Sequence, residues 1–297
     1  MELRHLRYFI AVAETGSLTE AAEQRLYTSQ PSLSRQIRDL ESQVGVVLLS
    51  RSVRGVELTA AGRAFLEHAR LVLMHVDAAV ETARRAAEPA RNTFAIGFQT
   101  GHEMNWLPPA MRVLHDELKN TEVTVSSDYS PDLAEALARG RLDLAFLRVE
   151  PGYDLEYHVV DREPLIVLIP SDHRLIARSA VSPHDLVGEI FIGGSNKAAV
   201  LRAVTEDYLR RSRLDIKLDH GVDNMAMAMS LVASTRGVAL MPAYAKNLLP
   251  PSVVSRPLEG EAPTIDIAVG YSKSNTSPVL ELFVSRLDEL VGLNQKH

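Results

Sequence analysis

At 297 residues, 46% apolar and 24% charged, the chain has the composition of an ordinary soluble protein, and it reaches the roughly 250 to 300 residues at which one core stops growing, so two or three domains are expected. It has no cysteine, which excludes disulfides, thiol catalysis and thiolate metal sites. It also has no apolar run long enough to span a bilayer. The opening segment MELRHLRYFIAVAETGSL carries charges where a signal peptide needs an apolar stretch, so the expected compartment is cytoplasmic. The formal net charge of −6 is unevenly spread: residues 1–91 hold twelve arginines against eleven acids, and from Arg25 to Arg63 six arginines face only Asp39, Glu41 and Glu57. Such a local excess suits phosphate if the fold gathers it on one side.

Leu3, Leu6, Phe9, Ile10 and Ala13 recur at helical spacing and predict a first helix that stops at Gly16. Ser17 with Glu20 three residues later is a capping-box pattern and opens a second helix through Ala21, Ala22 and Leu26. Tyr27 and Thr28 make a short connection. Ser29 is the expected N-cap of a third helix with Pro31 in its first turn, an inward stripe of Leu33, Ile37, Leu40 and Val44, and Gly45 as its stop. At about 100° per residue, the opposite side carries Pro31, Ser34, Arg35 and Arg38, with Gln30 at the N-terminal end. Two short helices joined by a tight turn, the second with a polar cationic face, describe a helix-turn-helix. Gln and Ser read base edges, Arg is bidentate to guanine or phosphate, and a helix N-terminus attracts phosphate. Taken alone, the same face also fits an ordinary solvated helix surface.

Leu48 to Thr59, LLSRSVRGVELT, reads as two short strands around Val53, Arg54 and Gly55, a wing that puts Arg54 at the DNA backbone or minor groove. From Thr59, an expected N-cap, to Ala87 the chain has no proline and one early glycine, Gly62. Phe65, Ala69, Val72, Val76, Ala79, Ala83 and Ala86 repeat at spacings of four and three, widened by Leu66, Leu73 and Val80. A helix of this length reaches about 40 Å. With no obvious core of its own, it is expected to pair with a second copy and present two recognition helices.

The strings MELRHLRYFIAVAETGSLTEAAE, SQPSLSRQIRDLE, VGVVLLSR and GVELTAAGRAFL, spanning Met1 to Leu66, together resemble the LysR-type transcriptional regulators. The look is that of the aromatic-acid catabolism activators of the phenylpropionate, benzoate and chlorocatechol regulator type. The resemblance implies DNA contacts at Gln30, Pro31, Ser34 and Arg35 and at Arg54 in the wing, with Arg38 added from the helix face. One departure stands out: Ala22 to Leu26 is four steps where the family has three, an extra residue that a π-bulge or a wider turn would absorb.

Around Glu88 to Arg91 the long helix should break at Pro89 and a hinge should follow. Then come a strand at Phe94 to Phe98, a helix from Leu107 to Leu118, a strand VTVSSD, a helix Pro131 to Gly140 and a strand LDLAFLRV. LIVLIP, EIFIGG, a helix Ala198 to Arg211 and MSLVASTRGVALMPAY repeat the style, and the strand IDIAVGY and the helix Val279 to Leu290 close the chain. Alternation of this kind predicts α/β layers with a largely parallel sheet. The resemblance implies more: a pair of lobes like the type 2 periplasmic binding proteins, with two crossovers returning the last strand and helix to the first lobe. The expected fold class is therefore α+β multidomain. It comprises a winged helix-turn-helix at 1–58, a linker and dimerisation helix at 59–88, and an α/β two-lobed effector domain at 92–297. Lobe I takes about 92–165 and 266–297, lobe II about 166–265.

Ligands of such layers sit at strand C-termini and helix N-termini. The residues expected there are Thr100, Gly101, His102, Ser130, Arg148, Ser195, Asn196, Lys197, Asn224 and Met225. Gly101 stands where the resembled regulators often have serine, with Thr100 as a substitute hydroxyl. Ser130 and its helix N-terminus would take a carboxylate, with charge from Arg148, Lys197 or His102. Met225 and Trp106 would touch a ring, although Trp106 also fits core packing, Ser130 a simple helix cap, and Arg148 a tie between lobes. His102 beside Glu103 is too small a cluster for a metal, and no cofactor is expected. No Walker, dinucleotide, G-x-S-x-G or H-E-x-x-H motif points to an enzyme. A transporter's solute-binding protein and a DNA protein without a ligand are the other readings. The partners expected are promoter DNA, a small effector such as an aromatic carboxylate, a second copy of the chain in a dimer or tetramer, and RNA polymerase, with no membrane.

Overall fold

The computed structural model describes residues 1–52, 55–87, 92–119 and 121–294. The chain divides into two compact units, Met1–Pro89 with Ala138–Gly140, and Ala90–Leu137 with Arg141–His297. In the first unit, α1 (Leu3–Thr15) stops at Gly16, and Ser17 caps α2 (Leu18–Glu20) by accepting the Glu20 N–H. The helix then widens into a π-turn at Ala21–Arg25, where Leu26 N donates to Ala21 O at 3.0 Å and Thr28 N to Ala22 O at 3.0 Å. That turn takes up the extra residue, so Ala21 and Ala22 stay buried while Leu26 still reaches the same core.

Helix α3 (Gln30–Val44) begins at Ser29, which marks the cap by backbone shape alone because its side chain makes no capping hydrogen bond. Leu33, Ile37 and Leu40 seal it against Phe9 and Val12 of α1. Glu41, on the same helix, accepts the backbone N–H of Leu48 at 2.8 Å and of Leu49 at 3.0 Å. This ties α3 to β1 (Leu49–Ser52), which pairs antiparallel with β2 (Gly55–Leu58). Thr59 Oγ1 then accepts the Gly62 N–H at 2.9 Å and starts α4 (Ala60–Ala87). A Cβ on Gly62 would lie 2.0 Å from the Leu48 carbonyl oxygen, so only glycine lets the first turn pass the strand.

The long helix is not without a core of its own. Ala69 is buried, Phe65, Leu66 and Leu73 pack on the same cluster, and Phe65 meets Phe9 edge-on at 5.3 Å. Arg70 reaches Glu14 of α1 at 2.8 Å. The N-terminal half of the apolar seam is therefore spent on the winged module, which corrects the sequence expectation, while Val72 and Val80 stay exposed. The expected break at Pro89 and the hinge after it lie outside the described residues.

The second unit runs β3 (Asn92–Gln99), α5 (Glu103–Val113), β4 (Thr121–Asp128), α6 (Ser130–Ala138), β5 (Leu144–Leu147) and β6 (Leu155–Pro170). It continues with β7 (Phe191–Gly194), α7 (Ala199–Arg211), β8 (His220–Val222), α8 (Met225–Thr235), β9 (Val238–Pro242) and β10 (Val253–Pro257). The last elements are β11 (Thr264–Ser272), α9 (Pro278–Ser285) and α10 (Leu287–Asn294). The strand order is β4-β3-β5-β11-β6-β9-β7-β8, with β10 paired to β6 off the path. β3 is parallel to β4 and β5, and β7 to β8 and β9, whereas β6 and β11 are antiparallel to their neighbours. The sheet is thus mixed rather than largely parallel, because β6 and β11 serve both lobes. Residues 155–164 of β6 pair with β11, Leu165 to Leu168 pair with β9, and Ile265 of β11 joins the core of Leu165, Tyr208 and Val238.

LIVLIP is an unbroken apolar run because both of its faces are covered. Leu165, Val167 and Ile169 share a core with Tyr208 and Leu209 of α7, while Ile166 and Leu168 share another with Ala228, Met229 and Val232 of α8. Two helix boundaries differ from expectation. α5 runs from Glu103 to Val113 rather than Leu107 to Leu118, burying Trp106, Pro109, Ala110 and Val113 on one stripe with both Pro108 and Pro109 inside it. The expected Val279–Leu290 helix is two helices that part at Arg286.

Candidate functional site

On α3, Arg35 projects with its side chain 79% exposed and its Nε 4.0 Å from Asp39, and Pro31 is exposed beside it. Arg38 is exposed but turns back, its Nε donating to the Ser34 carbonyl at 3.3 Å. Gln30 is half-buried in the first turn. Ser34 is only 6% exposed, which corrects its place on the open face: it sits one position from Leu33 and three from Ile37, inside the packed edge of the helix. Tyr27, read as plain connection, is 89% exposed at a left-handed φ of 49°, at the turn before the recognition helix. A non-glycine residue there costs about 1 to 2 kcal/mol. Arg54 lies outside the described residues.

In the second unit a cavity of 530 Å³ opens at the ends of β3, β5, β9 and the starts of α6 and α8. Thr100, Ser130, Arg148, Lys197, Asn224 and Met225 line it; Gly101, His102, Ser195 and Asn196 do not. Gly101 holds φ +93°, and a Cβ there would meet the Tyr244 ring at 2.7 Å, so serine has no room and glycine is what the packing accepts. Ser195 Oγ donates to Asp223 and accepts the Lys197 N–H at 3.1 Å, and Asn196 Oδ1 accepts from Arg202 at 2.9 Å. Trp106 is a core residue, stacked on Phe146 at 5.4 Å.

Two lining residues are committed to the scaffold. Ser130 Oγ donates to Gln99 Oε1 and accepts the Arg148 N–H at 2.8 Å, so its hydroxyl is not free to donate to a carboxylate. The Arg148 guanidinium donates to the Asp266 carbonyl at 2.7 Å and to Glu163 Oε2 at 2.8 Å, which fastens β5 to β11 and β6. Glu163 also takes the Nε2–H of His102 at 3.1 Å, leaving His102 Nδ1 buried without a hydrogen-bond partner. Burial holds the His102 pKa below its ordinary value, with the Arg148 charge adding to it, so a neutral ring donates. Burial pushes Glu163 up, but the hydrogen bond from His102 and the charge of Arg148 overcome it and the carboxyl stays below its ordinary value. His102 and Glu103, neighbours in sequence, face different partners: Glu103 Oε2 accepts the Gly101 N–H at 2.7 Å.

Sequence reasoning missed Gln99, Tyr129, Glu150 and Tyr244 on the cavity wall. Tyr244 follows β9 as Arg148 follows β5, so the strand-end rule reaches it once β9 is recognised. Glu150 is two residues beyond Arg148, and its carboxyl is pushed up to about 7 by burial. Asn224 caps α8 by accepting the Met227 N–H at 2.8 Å, and Lys197 Nζ lies 3.7 Å from Asp223.

A family profile described as bacterial regulatory helix-turn-helix protein, lysR family, matches residues 3–63, and one described as LysR substrate binding domain matches residues 87–291. The chain belongs to the LysR family. Among LysR relatives, the Hca operon transcriptional activator HcaR of Escherichia coli (strain K12) is 35% identical over 292 residues, 97% of this chain and 98% of that protein. Full-length BenM superposes with a TM-score of 0.58 at 26% identity, covering 99% of this chain and 98% of that one. Full-length CbnR complexed with its target DNA gives 0.56 at 27%, covering 98% and 100%. This protein is thus a LysR-type DNA-binding transcriptional regulator with an effector-binding domain, in a family of regulators rather than enzymes. Among the described residues, no helix is long and apolar enough to cross a membrane.

Proposed function

We propose that this LysR regulator reads promoter DNA through Gln30, Pro31, Arg35 and Arg38 and is switched by a small organic acid, with an apolar and preferably aromatic body, bound in the 530 Å³ cavity. One observation carries the effector half: α6 and α8 both begin at that cavity, at Ser130 and at Met225, while Val200, Leu201, Met241 and Leu248 supply an apolar wall. Helix N-termini attract anions through their N–H groups and dipole, and apolar wall holds a ring. Thr100, Lys197 and Asn224 add polar contacts, with Arg54 assigned to the DNA backbone beside the recognition helix. Copies pair through α4 into dimers and tetramers in the cytoplasm, and the DNA-bound assembly acts on RNA polymerase. Ligand and DNA are coupled reciprocally, and such couplings are typically about 1 to 3 kcal/mol.

Filling the cavity tests this. Ala226 lines it and is exposed, so Ala226→Trp should occupy the space without disturbing the core. In a DNase footprint on the DNA flanking its own gene, the variant should protect the same positions as wild type. It should lose any change that benzoate or 3-phenylpropionate produces. A variant that still responds to either acid would move the effector elsewhere.

A further inference from the structure

Four charged side chains line the cavity, Arg148, Glu150, Lys197 and Asp223, and three of them are already answered. Arg148 is bonded to Glu163, and Lys197 faces Asp223. Glu150 is different: its carboxylate makes no hydrogen bond or ion pair with any described residue, although it is half-buried at the wall. Its backbone is held in place, since the Tyr157 hydroxyl donates to the Glu150 carbonyl at 3.3 Å and Pro151 restricts the residue before it to extended conformations. The rise of its carboxyl to about 7 is what burial without a partner does. Above about pH 7, an acid with nothing else to offer would therefore enter a cavity whose cations are paired and whose one uncompensated group is negative.

We infer that Glu150 is the specificity residue of this cavity, accepting a hydrogen bond from a hydroxyl group on the effector, so that the preferred ligand is a hydroxylated organic acid. The inference rests on the acid reading given above. A hydroxyl suits the site better than an ammonium because the wall around it is apolar, and an ammonium costs far more to desolvate than a neutral donor. A ligand without that hydroxyl covers the half-buried carboxylate, takes water from it and returns no partner, which is how a polar group in a pocket rejects the analogue that lacks its mate.

Calorimetric titration of the full-length protein at pH 8 tests it with benzoate, 3-hydroxybenzoate, 4-hydroxybenzoate, 3-(aminomethyl)benzoate and 3-hydroxybenzyl alcohol. One of the hydroxybenzoates should bind wild type roughly ten- to hundredfold more tightly than benzoate, the range expected for a hydrogen bond to a charged group. Glu150→Leu should bring that ratio close to one, with benzoate gaining affinity as the opposing carboxylate goes. Glu150→Gln, which keeps the shape and a weaker acceptor, should fall between. A ratio that is the same in wild type and both variants overturns the inference while leaving the acid reading intact. Tighter binding of the aminomethyl compound than of either hydroxy acid overturns it in favour of a cation. If the alcohol binds as well as the hydroxy acids, and loses affinity in Glu150→Leu, the role of Glu150 stands and the acid reading falls.

Discussion

Ser130, Arg148 and Glu150 share one cavity wall, yet they divide its work. Ser130 and Arg148 bond to each other and to Gln99, Glu163 and Asp266, which fixes the strand ends and commits the Ser130 hydroxyl and both terminal nitrogens of Arg148. Glu150 is left with its charge unmet, and this has a measurable consequence. Its carboxyl rises from an ordinary 4.5 to about 7, so the folded chain holds this proton more tightly than the unfolded chain does. The stability this confers is fully present below pH 4.5 and is lost as pH rises through about 7. Glu150→Gln should therefore exceed wild type in stability at pH 8, on the order of 1 kcal/mol once its half-exposure is discounted, and the difference should vanish near pH 4.5. Thermal unfolding at the two pH values measures it, and a difference that does not change with pH would remove the carboxyl as its source. His102 works in the opposite sense, its neutral ring stabilising the fold above its ordinary pKa and less so as pH falls; being common to both proteins, it cancels. Which strand ends carry polar residues could be read from the sequence. Which of those residues are spent on each other could not, because Arg148 meets Glu163 and Asp266 only through the crossovers of β6 and β11.

The elements themselves were legible wherever burial writes a regular pattern. Caps and stripes placed α1, α3 and α4, and the surplus residue between Ala22 and Leu26 foretold the π-turn that absorbs it. The misses have physical reasons: β8 is three residues long with two exposed, too short to show alternation, and Pro108 and Pro109 sit within α5. Ser34 shows the limit of reading faces by angle, since α3 packs over a wider arc than its leucine stripe marks. With Ser34 packed inward and Arg38 turned onto the helix backbone, Arg35 is the cation most open to DNA on this helix. Arg35→Ala should weaken specific operator binding by about 1 to 3 kcal/mol with little change in stability. A mobility-shift titration indistinguishable from wild type would take Arg35 out of the reading face.

At the scale of the whole molecule, the apolar seam of α4 divides along its length. Phe65, Leu66, Ala69 and Leu73 hold it to its own module, whereas Val72 and Val80 remain exposed and available to a second copy. Val80→Asp, applied to both members of a pair, should raise the dimer dissociation constant roughly a hundredfold, since burying each valine is worth about 1.5 kcal/mol or more. Sedimentation velocity at micromolar protein reads this directly, and a wild-type profile would assign pairing to another surface. The crossovers of β6 and β11 also impose an order on synthesis. Lobe I builds its core from Phe94 and Trp106 together with Ile267, Phe283 and Leu290, and Arg286 reaches the Val113 carbonyl across 173 positions. The winged module closes through near neighbours and is complete while the ribosome still holds the strand and helices that lobe I lacks. For that interval the growing chain has a face for DNA and nothing yet with which to sense.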